Sequence, residues 1–201
     1  MLVATKRYMQ GRSSSLKAGT RPQALLWSDN PGTLEDGFYV PQGTEGEEFI
    51  ILSDHNRKEV SINPQRIETR QRMVNGNMRS YWIADKVEVS TSWERLPSRP
   101  FDRKVVFDED GNIESANYLS HTVDGAAGGV DMLSWYENNP GSFYLFLSYD
   151  KYRINNIENY NRLSTYNQVV KVYFSSFNYG IEKRSGGGFD FWNINVSMEE
   201  A

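Results

Sequence analysis

The chain has 201 residues, enough for one domain with a real hydrophobic core or for one domain carrying a long arm. It contains no cysteine, which excludes disulfides and thiolate metal sites and disfavours an oxidising, secreted setting. A net charge of -4 and a pI near 5.3 give little support to nucleic-acid binding as the main task, and no apolar run approaches the roughly 20 residues of a membrane helix.

The opening "MLVATKRYMQ" lacks the longer apolar stretch of a signal peptide, so synthesis in a cytoplasm is the expectation. Aromatic residues make up 13% of the chain, which with 16 glycines favours strands and turns over helices. The first 47 residues read as an N-terminal arm or a set of extended loops. "QGRSSSLKAGTRPQ" is small and polar, "SDNPGTLEDG" and "VPQGTEGEE" are rich in turn formers, and "ALLW" and "FYV" are short apolar islands between them. Residues 48–201 read as the regular β domain.

Phe49 to Leu52 form a continuous apolar run, as expected of a strand buried on both faces. "KEVSINP" follows as a short strand with Val60 and Ile62 on one face. Asn75-Gly76 signals a two-residue hairpin turn, which sets Met73 against Met78 and Arg72 against Arg79. The returning strand puts Ile83, Val87, Val89 and Trp93 inward, and the prolines of "LPSRPFD" end it. "RKVVFDEDGNIESANY" reads as a second hairpin and "HTVDGAAGG" as a flexible link. Helical spacing of Val130, Leu133 and Tyr136, or of Met132 and Trp135, predicts a helix over "VDMLSWYEN", stopped by Pro140 and Gly141. Three strands complete the count: "SFYLFLSYD", "QVVKVYFSSFNYG" and "FDFWNINVSM". In the last, Trp192, Ile194, Val196 and Met198 face inward. The total is about eight strands and one packed α-helix, a mainly β sandwich or barrel.

Candidate chemistry is thin. His55 and His121 are the only histidines; Asp54 and Asp124 lie near them in sequence, but two turn-like histidines do not make a metal or catalytic set. Asp108, Asp110 and Asn112 alternate like calcium ligands, yet Gly111 comes too early and Glu114 too near for an EF-hand, so a turn is the reading. "GAAGG" and "SGGG" lack the motif of a phosphate cradle, Ser14 and Lys17 match S-x-x-K without its companion motifs, and Asn195 heads an N-x-S triplet inside an expected strand. Catalytic, cofactor-binding and metal residues are therefore expected to be none. Tyr144, Tyr149, Tyr152, Tyr160 and Tyr166 offer an alternative reading, a carbohydrate-binding module with a stacking platform. The basic cluster Arg66, Arg70, Arg72 and Arg79 surrounds the Asn75-Gly76 turn. It is read as a projecting hairpin that meets an acidic surface of a neighbouring subunit, with Arg72, Met73, Asn75, Gly76, Met78 and Arg79 as the interface residues.

The closing "GFDFWNINVSMEEA", the paired strands "INPQRIETRQRMVNGNMRSYWIADKVEVSTSW" and the unit "VDMLSWYENNPGSFYLFLSYD" together resemble bacteriophage tail proteins of the tail-tube fold, over about residues 48 to 200. The resemblance spans the distal tail, minor tail and tail tube proteins of long-tailed phages. It implies a non-enzymatic virion protein, part of the tail tube or of the baseplate at its tip. Such proteins form a usually hexameric homo-oligomer ring around a channel. Their partners are other tail proteins, DNA only in passage, and no membrane.

Overall fold

The computed structural model describes residues 24–35, 38–41, 49–107, 113–149, 166–184 and 188–201. Its principal sheet is antiparallel and seven-stranded. The strands are β1 (Leu25–Ser28), β4 (Phe49–Ile51), β5 (Ser61–Arg72), β6 (Met78–Pro97), β9 (Phe143–Leu147), β10 (Gln168–Arg184) and β11 (Asp190–Glu200). They lie in the order β4-β1-β9-β10-β11-β6-β5. β2 (Thr33–Glu35) pairs with β3 (Phe38–Val40), and β7 (Phe101–Phe107) with β8 (Ile113–Ser120), as separate two-stranded sheets. One helix, α1 (Gly129–Asn138), lies among the described residues. The protein is mainly β, with most of the described residues in strands.

The sheet is rolled. β4 and β6 stand five places apart in the strand order, about 24 Å if the sheet were flat. Yet the Trp93 indole N–H of β6 donates to the carbonyl of Ser53, two residues past β4, at 2.7 Å. The Lys58 N–H likewise reaches the Ser92 carbonyl at 2.8 Å. Only a sheet that curls toward its own far side brings these groups together. The roll encloses one apolar cluster built from Leu25, Trp27, Val89, Trp93, Leu145, Val172, Ile194 and their neighbours. A smaller cluster of Leu26, Phe49, Ile51, Phe146 and Tyr166 lies on the outer face of β4, β1 and β9. The β2–β3 hairpin covers it: the Tyr39 N–H donates to the Tyr166 carbonyl, and Gly32 sits so close to Val40 and the Phe146 ring that a Cβ would collide with the Val40 carbonyl.

β11 holds the interior of the sheet. It pairs with β10 on one side and β6 on the other, and its alternate residues Trp192, Ile194, Val196 and Met198 are at most 6% exposed, as its period-two pattern requires. α1 closes the mouth of the roll against this strand. The Gly129 backbone lies on the Trp192 ring, where an added Cβ would come within 2.9 Å, and Tyr136 stacks on Phe177. The Asp131 carboxylate accepts from the Gly128 N–H and occupies the first turn, where negative charge is favoured; Pro140 lies just past the last turn. The buried indole N–H groups of Trp27 and Trp135 have no oxygen partner, but both rings meet Phe143 edge to face.

The expected strands β4, β9, β10 and β11 and the helix are present, and so is the β7–β8 pairing. The count of about eight rises to eleven among the described residues. Part of the difference lies where an arm was expected. "ALLW" is the start of β1, an interior strand whose Leu25, Leu26 and Trp27 are fully buried, so residues 24–28 belong to the core and not to an arm. Both faces of β1 are covered, which explains an unbroken apolar run in place of alternation. The "GAAGG" link is packed as well. Ala126 and Ala127 are buried, Ala127 bridges to Leu52, and Gly128 abuts the Ser98 and Pro97 carbonyls. Its glycines and alanines permit close approach, and flexibility is not their role.

Replacing Trp192 with alanine removes the side chain on which α1 rests. The expected cost is roughly 3–5 kcal/mol in chemical denaturation, and an unchanged midpoint would mean that α1 does not depend on this contact.

Candidate interaction surface

β6 is 20 residues long and its neighbour β11 only 11. β11 accompanies β6 from Pro97 to Glu88, and the other half of β6 continues with β5 alone. The result is a two-stranded ribbon from about Asn63 and Glu88 to its tip. β5 is its outer strand, at the edge of the sheet. Nearly every side chain along the ribbon is exposed, among them Ile67, Met73, Met78, Tyr81, Trp82 and Ile83.

Register divides the ribbon into two faces, because directly paired residues share a face. One carries the pairs Arg66/Asp85, Glu68/Trp82, Arg70/Ser80 and Arg72/Met78; the other carries Ile67/Ala84, Thr69/Tyr81 and Gln71/Arg79. A bulge leaves Ile83 as the extra residue between them. The first face is knit by charge. Arg66 Nε donates to Asp85 at 2.9 Å, Arg70 Nε to Glu68 at 2.7 Å, and Ser80 Oγ also donates to Glu68. Donation from Arg66 and then from the Trp82 indole holds the Asp85 carboxyl below its ordinary range. Ser80 and then Arg70 do the same for Glu68. The second face carries Ile67, Tyr81 and Arg79.

The structure corrects the predicted turn. Gly76 N–H donates to the Met73 carbonyl at 2.9 Å and Met73 N–H to the Asn77 carbonyl at 2.8 Å, so the loop has three residues, not two. Only Gly76 takes a positive φ, at 82°, while Asn75 keeps an ordinary backbone and its side chain accepts from the Asn77 N–H. Pairing slips by one: Arg72 lies opposite Met78, and Arg79 opposite Gln71. Arg72 and Arg79 therefore point to opposite faces, and of the four basic residues Arg66 and Arg70 are neutralised within the ribbon. Ile83, expected inward, is 62% exposed, because it lies on the ribbon beyond the reach of β11. The sequence does carry a signal of this. Tyr81, Trp82 and Ile83 run together without alternation, so they cannot all enter one core face.

The histidines are placed apart. Ser53 Oγ donates to Asp124 Oδ1 at 2.7 Å, and the Asp54 and Ala126 N–H groups donate to the same carboxylate. His55 Nδ1 accepts from the Val123 N–H at 3.2 Å. Serine, histidine and aspartate thus meet, but the serine is bonded to the carboxylate and not to the imidazole, which is no nucleophile–base pair. The group ties the segment after β4 to the turn before α1. His121 instead packs its ring on Phe189 at 4.2 Å. Among the described residues no three His, Asp or Glu side chains gather as a metal site, and no helix is long and apolar enough to cross a membrane. Ser14, Lys17, Asp108, Asp110, Gly111 and Asn112 lie outside the described residues, as do Tyr152 and Tyr160. Of the other platform tyrosines, Tyr166 is buried against Phe146 and Tyr144 and Tyr149 are half-buried. Asn195 is exposed on β11.

Compared with known proteins, the chain matches no family model and no curated protein.

Burial pushes the His55 imidazole below its ordinary value of 6.5, against the opposing pull of Asp124. The folded state therefore holds fewer protons than the unfolded chain below that pH. The stabilisation is complete above 6.5 and is lost as pH falls through the lower folded value. Thermal unfolding should show a midpoint that declines over this window, and His55→Gln should flatten that part of the decline.

Proposed function

We propose that this chain is a structural subunit of a bacteriophage tail, one that associates with copies of itself into a ring around the DNA channel, in the tube or at the tail tip. The observation that carries the reading is the ribbon. Two strands that leave their sheet and display Trp82, Tyr81, Ile83, Ile67 and Met78 to solvent are of marginal stability alone, and such a surface is the mark of an interface. The rolled, mainly β sheet, with one helix among the described residues, agrees with the tail-tube resemblance of residues 48 to 200 and supplies a rigid body for the ribbon. Among the described residues the outer edge of β5 is unpaired, and a neighbouring subunit would cover it. A ring removes such edges by closing on itself, which a free monomer cannot do.

On this reading Arg72, Met73, Asn75, Gly76, Met78 and Arg79 lie at the interface, the neighbours are other tail or baseplate proteins, and the protein resides in the virion tail. The direct test is electron microscopy of the purified chain in negative stain, alone and together with the tail proteins encoded beside it. Rings with a central channel are expected, and monomers under both conditions would overturn the reading. Arg72→Glu with Arg79→Glu should leave the fold intact by circular dichroism while reducing ring formation. Undiminished rings from that variant would remove the ribbon tip from the interface.

A further inference from the structure

Among the described residues, most large apolar side chains that remain exposed fall into two groups. Seven lie on the ribbon: Ile67, Met73, Val74, Met78, Tyr81, Trp82 and Ile83. Four border the seam between α1 and β10: Val130, Tyr136, Tyr179 and Ile181. The seam is one continuous surface. Tyr136 stacks on Phe177 at 4.7 Å, Phe177 meets Tyr179 at 6.3 Å, and Tyr179 stacks on Trp192 at 5.1 Å, beneath the first residue of α1.

Register places the two groups at opposite ends of the sheet. Ile181 pairs with Trp192 near the start of β11, while the ribbon departs beyond the Glu88–Glu199 pair near its end. Seven residues of strand, about 23 Å, separate these points. The ribbon also runs away from the seam, so it cannot fold back onto the seam of its own chain. Charge favours a second copy. Between Asn63 and Glu88 there are five basic and three acidic side chains, an excess of two positive charges. The whole chain carries -4, so the rest of it carries a net negative charge of six. The exposed carboxylate of Glu137 stands one residue from Tyr136 on the seam. On the ribbon, the face with Ile67 and Tyr81 also bears Arg79, which forms no ion pair among the described residues.

We infer that the seam of Tyr136, Phe177, Tyr179 and Ile181 receives the Ile67, Tyr81 and Arg79 face of the ribbon from a second copy of the chain, head to tail. The inference rests on the reading of the chain as an assembling subunit and adds to it the acceptor surface. Two unlike patches at opposite ends make a heterologous contact that propagates along the strand direction, not a two-fold dimer. Such a contact closes into a ring where the rotation between copies allows it and otherwise grows as an open array.

The chain has no cysteine, so an engineered pair is unambiguous. Tyr81→Cys with Ile181→Cys, and Ile67→Cys with Tyr179→Cys as a second pair, place both thiols at exposed positions. Melting curves of the reduced variants check that they fold as the parent does. Mild oxidation at the highest soluble concentration should give a ladder of covalent oligomers on a non-reducing gel that collapses with reductant. Tyr81→Cys alone should give no more dimer than Leu34→Cys, which lies outside both patches. Oxidised samples of both pairs that stay monomeric would overturn the inference, and so would a strong dimer from Tyr81→Cys alone, which would mean that ribbon meets ribbon. Rings without a ladder would remove the seam and keep the proposed function. A ladder without rings would keep the seam and remove the ring.

Discussion

The mismatch in length between β6 and β11 is the constraint on which the rest of this molecule depends. Within the span that β11 covers, β6 is an interior strand. Val89 and Trp93 reach the core, Thr91 is buried between them, and Trp93 also holds the roll shut through Ser53. Past Glu88 the same strand has a neighbour on one side only, and beyond Val87, which still packs against the core, its large apolar residues are exposed. The covalent continuity of β6 therefore couples a well-buried body to an exposed ribbon. A rigid body matters here, since a ribbon hinged on a loose base would lose ordering entropy on every encounter. The bulge at Ile83 and the shift between Trp192 and Ile194 add local twist along the path from body to ribbon.

The body owes its rigidity to packing more than to polar pairing. Aromatic rings run through it from Trp27 and Phe143 to Phe174, Phe177, Tyr179 and Trp192, at centroid spacings of 4.4 to 6.3 Å. Edge-to-face and stacked rings fill volume with few rotatable bonds. α1 lies against this row only because Gly129 has no side chain there, so a sequence that looks like a flexible glycine linker is one of the tighter contacts in the fold. The Ser53, Asp124 and His55 group adds a polar tie between the two segments that border the mouth of the roll, and its carboxylate accepts three hydrogen bonds.

How much of this was legible in the sequence follows from which signals are local. β11 and β10 alternate because one face is buried, and α1 shows a helical stripe with a proline stop; both are visible in a window of ten residues. β1 was missed because "ALLW" is four residues long and owes its place to β4 and β9, one of them more than a hundred residues away. The hairpin turn is legible in the sequence but its register is not. Asn-Gly is compatible with a two-residue or a three-residue loop, and the choice made here, with Asn75 capping Asn77, moves every pair by one. The basic cluster does lie on a two-stranded hairpin, but its net charge is smaller than the four arginines alone suggest. Asp85 and Glu68, both on β5–β6, neutralise half of it, and neither partnership is visible without the register.

That neutralisation bears on how the ribbon can be both sticky and safe. An exposed edge strand with a flat apolar face invites indiscriminate pairing, and charge is the usual defence. Here the defence is confined to one face. Arg66 with Asp85 and Arg70 with Glu68 cover the face that holds Trp82, whose indole itself donates to Asp85. The other face keeps Ile67 and Tyr81 open and carries Arg79, which forms no ion pair among the described residues. Exposed ion pairs of this kind contribute little to stability. Their effect is on choice, since a partner docking on the charged face would have to desolvate a satisfied network, whereas one docking on the Ile67 and Tyr81 face covers apolar surface and offers Arg79 a counter-charge. An asymmetric ribbon of this design favours one orientation of its partner, and a fixed orientation repeated from copy to copy is what a regular assembly requires.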